Sequence, residues 1–390
     1  MEFHLPFILI FIIFMRHIVN PFLIAGYQGP DYFCDREKET DNIISALKNG
    51  RNITLISPRR IGKTGLIKHV FWNIQKQSPN AKCFYIDIFG TQSLYELVLL
   101  LGKSVIGKLD TFSESMMRNL TELLRSFQPS FTFDPVTGVP SFNFNLQHEN
   151  VEVGLQEIFA YLQHSDKECY IAIDEFQQIT EYPEKGVEGL LRSYIQFIPN
   201  VHFIFAGSKK HLMDEIFSSP KRPFFQMTQK MTLGVIDKEK YYLFAQGFFN
   251  KQNKNLDANT FDYIYNLMHG FTWYIQYVLN YLYSKPISEY SCTDVEDVLR
   301  EIVEQEDVTF KSYCESLSKA QFKLLKAIAK ENMVLNIYEK DFLRKYDLGT
   351  PSTIQRALSS LVGLSFVLKE GDSAHFLYDP IFSYWLKMRG

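Results

Sequence analysis

The sequence predicts an α/β fold: a parallel sheet with helices on both faces, then an all-α region, then a small unit of helices and a hairpin. Three observations carry that expectation. Short apolar runs at 52–57, 83–89, 169–173 and 201–206 are separated by helical patterns, the arrangement of a parallel sheet buried on both faces. Strand patterns stop after Gly234, where helical periodicity takes over. Three helical patterns and two β-rich stretches then close the chain.

Residues 39–47 read as a helix with Ile43, Ile44 and Leu47 on one face. The run 52–57 is a strand feeding a Gly-Lys-Thr turn, and 65–75 is the helix after it. Residues 83–89, rich in β-branched and aromatic side chains, form a buried strand, and 94–109 are helical. The stretch 110–149 is irregular, with turn signals at Gln128-Pro129 and Asp134-Pro135-Val136-Thr137-Gly138, and reads as an insertion with a small hairpin. A helix at 153–163 precedes the strand 169–173, which ends in Asp174-Glu175. A helix at 189–197, the strand 201–206 ending in Gly207-Ser208, and a last strand within 224–233 complete the sheet. Helices follow at 238–250, 258–268 and 271–283, with an acidic connecting helix at 293–310. Helices at 319–330 and 340–346 precede one that starts with Thr350 as N-cap and Pro351 at its first position. Strands near 366–369 and 375–378 flank the turn Glu370-Gly371-Asp372. The organisation expected is an apolar extension (1–19), an α/β core (20–234), a helical unit (235–290), the connecting helix (291–317) and a terminal unit (318–390).

Composition bounds the function. The 390 residues are 46% hydrophobic and 22% charged, which excludes a disordered or low-complexity chain. With 41 Lys and Arg against 44 Asp and Glu, the net charge of −3 excludes a whole-chain basic footprint for nucleic acid. Five scattered cysteines form no C-x-x-C pair and read as reduced, buried thiols of a cytoplasmic protein. The apolar run 5–14 is too short to span a bilayer, so no stable transmembrane anchor is expected. Glu2 precedes it and no A-x-A site follows, against a signal peptide. Either Met15 is the true start, or the run is a weak membrane-associating tail.

The strongest chemical signal is Ser57-Pro58-Arg59-Arg60-Ile61-Gly62-Lys63-Thr64, between a strand and a helix that opens at Gly65. Successive backbone N–H groups and a helix N-terminus there would face an anion. Gly62 lets the backbone approach phosphates, Lys63 would reach the β- and γ-phosphates, and the Thr64 hydroxyl would hold Mg²⁺. Ser57 stands where the strict G-x-x-x-x-G-K-[ST] pattern has its first glycine. The second signal is Tyr170-Ile171-Ala172-Ile173-Asp174-Glu175, an apolar strand ending in two carboxylates at the sheet edge where α/β ligands bind. Asp174 would stand behind the Mg²⁺, and Glu175 would orient or deprotonate the attacking water. Ser208, after the strand 201–206, either lies beside the γ-phosphate or water or simply serves the turn.

These residues resemble the AAA+-related P-loop ATPases, within them the signal-transducing STAND branch, in the archaeal and bacterial group with P-R-R-x-G-K-T and I-D-E-F-Q motifs. The matches are Asn20-Pro21-Phe22, Tyr32-Phe33 with Arg36-Glu37, Pro58 to Thr64, Ile173-Asp174-Glu175-Phe176-Gln177-Gln178-Ile179, Gly207-Ser208 and Ser219-Pro220-Lys221-Arg222-Pro223-Phe224. The resemblance implies a P-loop NTPase core, a helical lid at 235–290 and a C-terminal winged helix, with ATP and Mg²⁺ as ligands. It implies that Tyr32, Phe33 and Arg36 lie near the adenine and that Arg59 and Arg60 flank the phosphates. Arg222 is either a surface arginine or one that senses the γ-phosphate, in cis or across an interface between self-associated copies. Many such lids carry an arginine that touches the γ-phosphate. The comparable stretch His269-Gly270-Phe271-Thr272-Trp273-Tyr274 has none, which points to the slow turnover of a switch.

The terminal unit has the element order of a winged helix, and 319–390 hold 11 basic and seven acidic side chains. Its third helix offers only Gln355, Arg356 and hydroxyls, where specific base readout usually needs three or four reaching side chains. DNA and an unidentified protein both stay open as its partner. The leading expectation is an ATP-hydrolysing switch; the alternatives are a nucleotide-dependent DNA-binding regulator and a nucleotide-binding interaction module with negligible turnover.

Overall fold

A computed structural model describes residues 20–106, 108–109, 123–127, 130–133, 140–143, 146–371 and 373–389. The alternative start at Met15, the turn at 134–138 and Asp372 lie outside them. The described chain divides into two units, 26–236 and a second built from 20–25 together with 237–389.

The first unit is a parallel five-stranded sheet in the order β2-β5-β6-β1-β7. Its strands are β1 (Asn52–Ile56), β2 (Lys82–Asp87), β5 (Cys169–Asp174), β6 (Val201–Gly207) and β7 (Thr228–Thr232). Every residue of β5 is buried, as are six of the seven in β6, the signature of central strands covered on both faces. The edge strand β7 is polar, and its Lys230 pairs with Asp214, which suits an edge that must not recruit another strand. It starts four residues later than the 224–233 pattern suggests. Pro220 and Pro223 hold the preceding chain in turns, and Gln226 adopts φ +58°.

The covering helices are α1 (Glu37–Lys48), α2 (Lys63–Gln77), α3 (Leu94–Val105), α4 (Val151–Gln163), α5 (Val187–Ile195) and α6 (Lys210–Ser218). Between α3 and α4 lies the antiparallel pair β3 (Ser130–Phe133) and β4 (Pro140–Asn143), the hairpin expected in the insertion. Aromatics fill the core under β5 and β6. Phe176, Phe205, Phe217 and Phe224 meet with ring centroids 4.6 to 5.6 Å apart.

The second unit begins with α7 (Lys238–Asn250), capped by Asp237, then α8 (Ala258–Leu267) and α9 (Thr272–Ser284). A short parallel pair, β8 (Asn255–Leu256) with β9 (Glu289–Tyr290), ties their ends. The expected single connecting helix is two, α10 (Cys292–Gln305) and α11 (Asp307–Glu315), broken at Glu306. The winged helix comprises α12 (Lys319–Glu331), α13 (Lys340–Lys345), α14 (Pro351–Gly363) and the antiparallel hairpin β10 (Val367–Glu370) and β11 (Ala374–Leu377). Thr350 caps α14, accepting from the Thr353 amide at 3.4 Å.

The aromatic C-terminal stretch forms a further helix, α15 (Pro380–Met388), started by Asp379 as N-cap. Its Phe382 lies 5.0 Å from Phe310, its Trp385 indole N–H donates to Asp307 at 2.8 Å, and its Tyr384 hydroxyl donates to Glu296. The α8–α9 turn meets the wing as well, through His269 and Phe376 at 5.0 Å and Phe271 and Tyr378 at 5.9 Å. The helices α7 to α9, the connecting helices and the winged helix therefore share one packed body. Among the described residues no helix is long and apolar enough to cross a membrane.

Residues 20–25, grouped with the core on sequence, pack on the helical unit instead. The amides of Asn20 and Asn280 donate to the carbonyls of Asn280 and Phe22 at 2.8 and 2.7 Å, and the Trp273 indole donates to Ile24 O at 2.8 Å. Phe22 is fully buried among Phe248, Phe249 and Tyr283, with centroids 5.4 to 5.9 Å away. Phe22→Ala is expected to destabilise the helical unit by about 3–5 kcal/mol, read by urea denaturation. A loss below about 1 kcal/mol would remove this strap from the core.

Candidate active site

The site forms where β1, β5, β6 and β2 end. Beyond β1 the Ser57 amide donates to Gly207 O at 3.2 Å, prolonging the β1–β6 ladder by one step. The loop then turns through two left-handed residues, Arg60 (φ +66°) and Gly62 (φ +99°), into α2. Positive φ at these positions curls the backbone into an anion-binding concavity. Gly62 is the N-cap of α2 and supplies no side-chain acceptor, so the first-turn amides of Lys63, Thr64 and Gly65 face outward. Ser57 is 1% exposed, and its Oγ has no partner among the described residues. A polar atom left over inside the cradle fits a site built to receive a polar ligand.

Lys63 is buried, with Nζ 2.7 Å from Asp174 Oδ1 and 3.5 Å from Glu175 Oε1. Asp174 gathers further donors: the Glu175 amide at 2.9 Å on Oδ1, and on Oδ2 the Tyr85 hydroxyl at 2.6 Å and the Thr64 hydroxyl at 3.2 Å. Burial pushes the Asp174 carboxyl up, but the Lys63 ammonium, with its hydrogen bond and those from Tyr85 and the Glu175 amide, outweighs it. The net shift is downward, so Asp174 is an anion. Asp87 stands beside it in register on β2; burial raises its pKa, with the Asp174 and Glu175 charges adding to the rise.

Glu175 turns out of β5 with φ +56°, a left-handed conformation costly for a residue with a side chain and typical of functional sites. Its Oε2 accepts from Ser208 Oγ at 2.7 Å and from the Gln177 amide, while Arg59 Nε lies 3.9 Å from Oε1. A Cβ on Gly207 would stand 2.5 Å from Met213 Sδ and closer still to Gln177 Oε1, so both side chains would have to shift to admit one. Arg59 is exposed and spreads over the Phe89 ring at 5.0 Å; Pro58 and Arg60 are exposed beside it, and Ile61 is buried beneath the loop.

Lys63, Thr64, Asp174, Glu175 and Ser208 thus lie together. Phe33 flanks them, its ring 3.4 Å from where a Cβ on Gly65 would stand and stacked on His69 at 4.3 Å. Tyr32 ends the preceding turn, half-buried. Tyr27 bonds His69 Nδ1 at 2.7 Å, and burial lowers the His69 pKa. Arg36 does not join the cluster. It is buried with φ +77°, and its terminal nitrogens hold Glu39 at 2.9 Å and Gly234 O at 2.5 Å.

Arg222 also stays apart. It pairs with Glu188 at 2.8 Å and Glu215 at 3.7 Å, on the rim of a cavity of about 380 Å³ that Arg192, Gln196 and Lys221 help to line. Sequence reasoning missed Tyr85, Asp87 and the contact of Gln177. Their positions depend on β2 lying next to β5 and on the turn after Glu175. The one available signal was Asp87, a polar residue at the end of its strand.

The donor set fits a hard cation shared with phosphates: one hydroxyl on a helix N-terminus and one carboxylate. Among the described residues no group of three or more His, Cys, Asp or Glu side chains forms an all-protein cage.

Comparisons with known proteins agree with this architecture. Residues 33–278 match the family model described as "ATPase domain predominantly from Archaea", and 308–388 match one described as "Probable winged helix domain". No curated protein matches. Among solved structures, the chain is similar to the Walker-type ATPase of Pyrococcus abyssi, with TM-score 0.62 and 17% identity over 94% of this chain and 99% of that one. It is also similar to the ORC2 protein of Aeropyrum pernix in its ADPNP-ADP complexes, with TM-score 0.56 and 14% identity over 95% and 98%. A third is the ORC1 protein of Aeropyrum pernix in complex with DNA, with TM-score 0.52 and 13% identity over 92% and 94%. These likenesses are of fold. The family match spans most of the chain, from the segment before α1 into α9, and the chain belongs to the family of ATPase domains found predominantly in Archaea.

Proposed function

We propose that the protein is an ATP-hydrolysing molecular switch of the STAND type, binding Mg·ATP at the 57–65 loop. The observation that carries this reading is the convergence of Lys63, Asp174, Glu175 and Ser208 on an open helix N-terminus. The first-turn amides and Lys63 bind the phosphates, with Lys63 exchanging carboxylate partners for phosphate oxygens. Thr64 and Asp174 hold the Mg²⁺, which when bound neutralises charge on the phosphate oxygens. Glu175 orients the attacking water and accepts its proton, and Ser208 and Gln177 aim its carboxylate. Phe33 and Tyr32 lie against the adenine.

Turnover is slow on this reading. Glu175 is held by Ser208, Gln177, Lys63 and Arg59, and the 269–274 stretch supplies no arginine to the γ-phosphate. Output passes through the helical unit, whose lid and winged helix move together because His269, Phe271, Glu296 and Asp307 join them. The partner is a protein, and Arg222, held by Glu188 and Glu215, is a surface arginine on this reading. Phosphate release from Mg·ATP by the purified full chain tests the reading; ATP binding with no release at all would leave an interaction module.

A DNA-binding regulator is the second reading. Its support is the winged helix, whose α14 exposes Ser352, Thr353, Gln355 and Arg356. With one cation on that face, we expect any DNA binding in fluorescence anisotropy to be weak at 50 mM salt and to fall only about three- to fourfold by 200 mM, the shallow slope of a single phosphate contact. Binding that survives and falls with Arg356→Ala would favour the regulator.

A further inference from the structure

Tyr85 has no place in the site described so far except as a donor to Asp174. It lies two residues before the end of β2, and the parallel pairing of β2 with β5 sets Asp87 opposite Asp174 and Tyr85 opposite Ala172. Its ring is half-buried under the Lys68 ammonium, 5.4 Å from the centroid. Its hydroxyl donates to Asp174 Oδ2 at 2.6 Å and stands 3.3 Å from Thr64 Oγ1, which is itself 3.2 Å from that Oδ2. Three oxygens therefore close a triangle: the hydroxyl and the carboxylate read above as holding Mg²⁺, and a phenol belonging to neither the loop nor the Asp-Glu strand.

The division of labour on Asp174 makes the phenol consequential. Oδ1 is taken by Lys63 and by the Glu175 amide. On Oδ2 the other donor is Thr64, whose proton must point at the carboxylate if its lone pair is to face a cation. The phenol is protonated at neutral pH and can only help Oδ2 as a donor. Without it, Oδ2 keeps the Thr64 hydroxyl at 3.2 Å as its one donor among the described residues, and once Lys63 moves to the phosphates Oδ1 keeps the Glu175 amide.

We infer that Tyr85 is a positioning residue for the divalent cation, holding Asp174 Oδ2 and the Thr64 hydroxyl at one place. The inference rests on the Mg·ATP reading. Groups that orient metal ligands are typically worth about 10- to 100-fold in metal affinity. Tyr85→Phe keeps the ring and its Lys68 contact and removes only the hydroxyl.

The test is binding of a fluorescent ATP analogue by the full chain, with Mg²⁺ titrated at fixed nucleotide, alongside Thr64→Ala and thermal melting of each protein. The expected result for Tyr85→Phe is about a tenfold higher Mg²⁺ midpoint, with Mg²⁺-free nucleotide binding and melting unchanged. A titration superimposable on the wild type, while Thr64→Ala shifts, overturns the role of Tyr85 alone. Parallel loss of melting temperature and of Mg²⁺-free binding makes the phenol merely structural and also overturns it. Nucleotide binding that ignores Mg²⁺ in the wild type and all variants overturns the Mg·ATP reading itself.

Discussion

Lys63→Ala is expected to abolish ATP binding. The residue is 7% exposed and, among the described residues, is the cation within 4 Å of Asp174 and one of two within 4 Å of Glu175, the other being the exposed Arg59. Removing it leaves two carboxylates together in a poorly solvated cleft, and a triphosphate brings more negative charge to the same place. Breaking a buried pair by deleting one partner costs about 3–5 kcal/mol. If that loss falls on the complex, affinity drops by at least about 100-fold. Calorimetric or fluorescence titration with Mg·ATP reads the effect. Binding retained within about threefold would take Lys63 out of the phosphate site.

Glu175→Gln is expected to keep nucleotide binding and lower phosphate release by about 10²–10⁴-fold, the usual worth of a positioned acid or base. A glutamine has the same shape, and its amide oxygen can still accept from Ser208 and Gln177, so the turn at φ +56° is undisturbed. It cannot accept a proton from water. A phosphate-release assay under single-turnover conditions separates the two steps, and unchanged turnover would remove Glu175 from its assigned role. The pair of variants is diagnostic together: one blocks occupancy, the other only chemistry.

Much of the fold is written locally. β5 and β6 are continuous apolar runs because both faces of a central strand are covered, and the sequence shows that as unbroken hydrophobicity ending in polar residues. Gly62 and the strand before it announce the left-handed turn into α2. Asp379-Pro380 is as good a helix start as Thr350-Pro351, yet the aromatic density after it masked the period of α15. Asn20-Pro21-Phe22 carries no mark of its destination, because its partners Asn280 and Phe249 are over 200 residues away.

The same line runs through the site. Lys63, Thr64, Asp174, Glu175 and Ser208 stand at the ends of elements whose identity follows from nearby residues, so their convergence at one sheet edge was foreseeable once the strands were parallel. Arg36 and Arg222 were not decidable that way. An arginine's role depends on which carboxylate or carbonyl lies within reach, and here Glu39 with Gly234 O and Glu188 with Glu215 take them. Tyr85 is the converse case, a residue of ordinary strand character that strand order alone carries to Asp174.

The amino-acid sequence of this protein thus specified the parallel α/β core, the phosphate-type loop and the paired acids, since turn geometry and one-dimensional periodicity are properties of neighbouring residues. Strand adjacency, the joining of the α7–α9 helices to the winged helix and the ion-pair partners of each buried charge were settled by packing, since burial and pairing are decided among groups that only folding brings together.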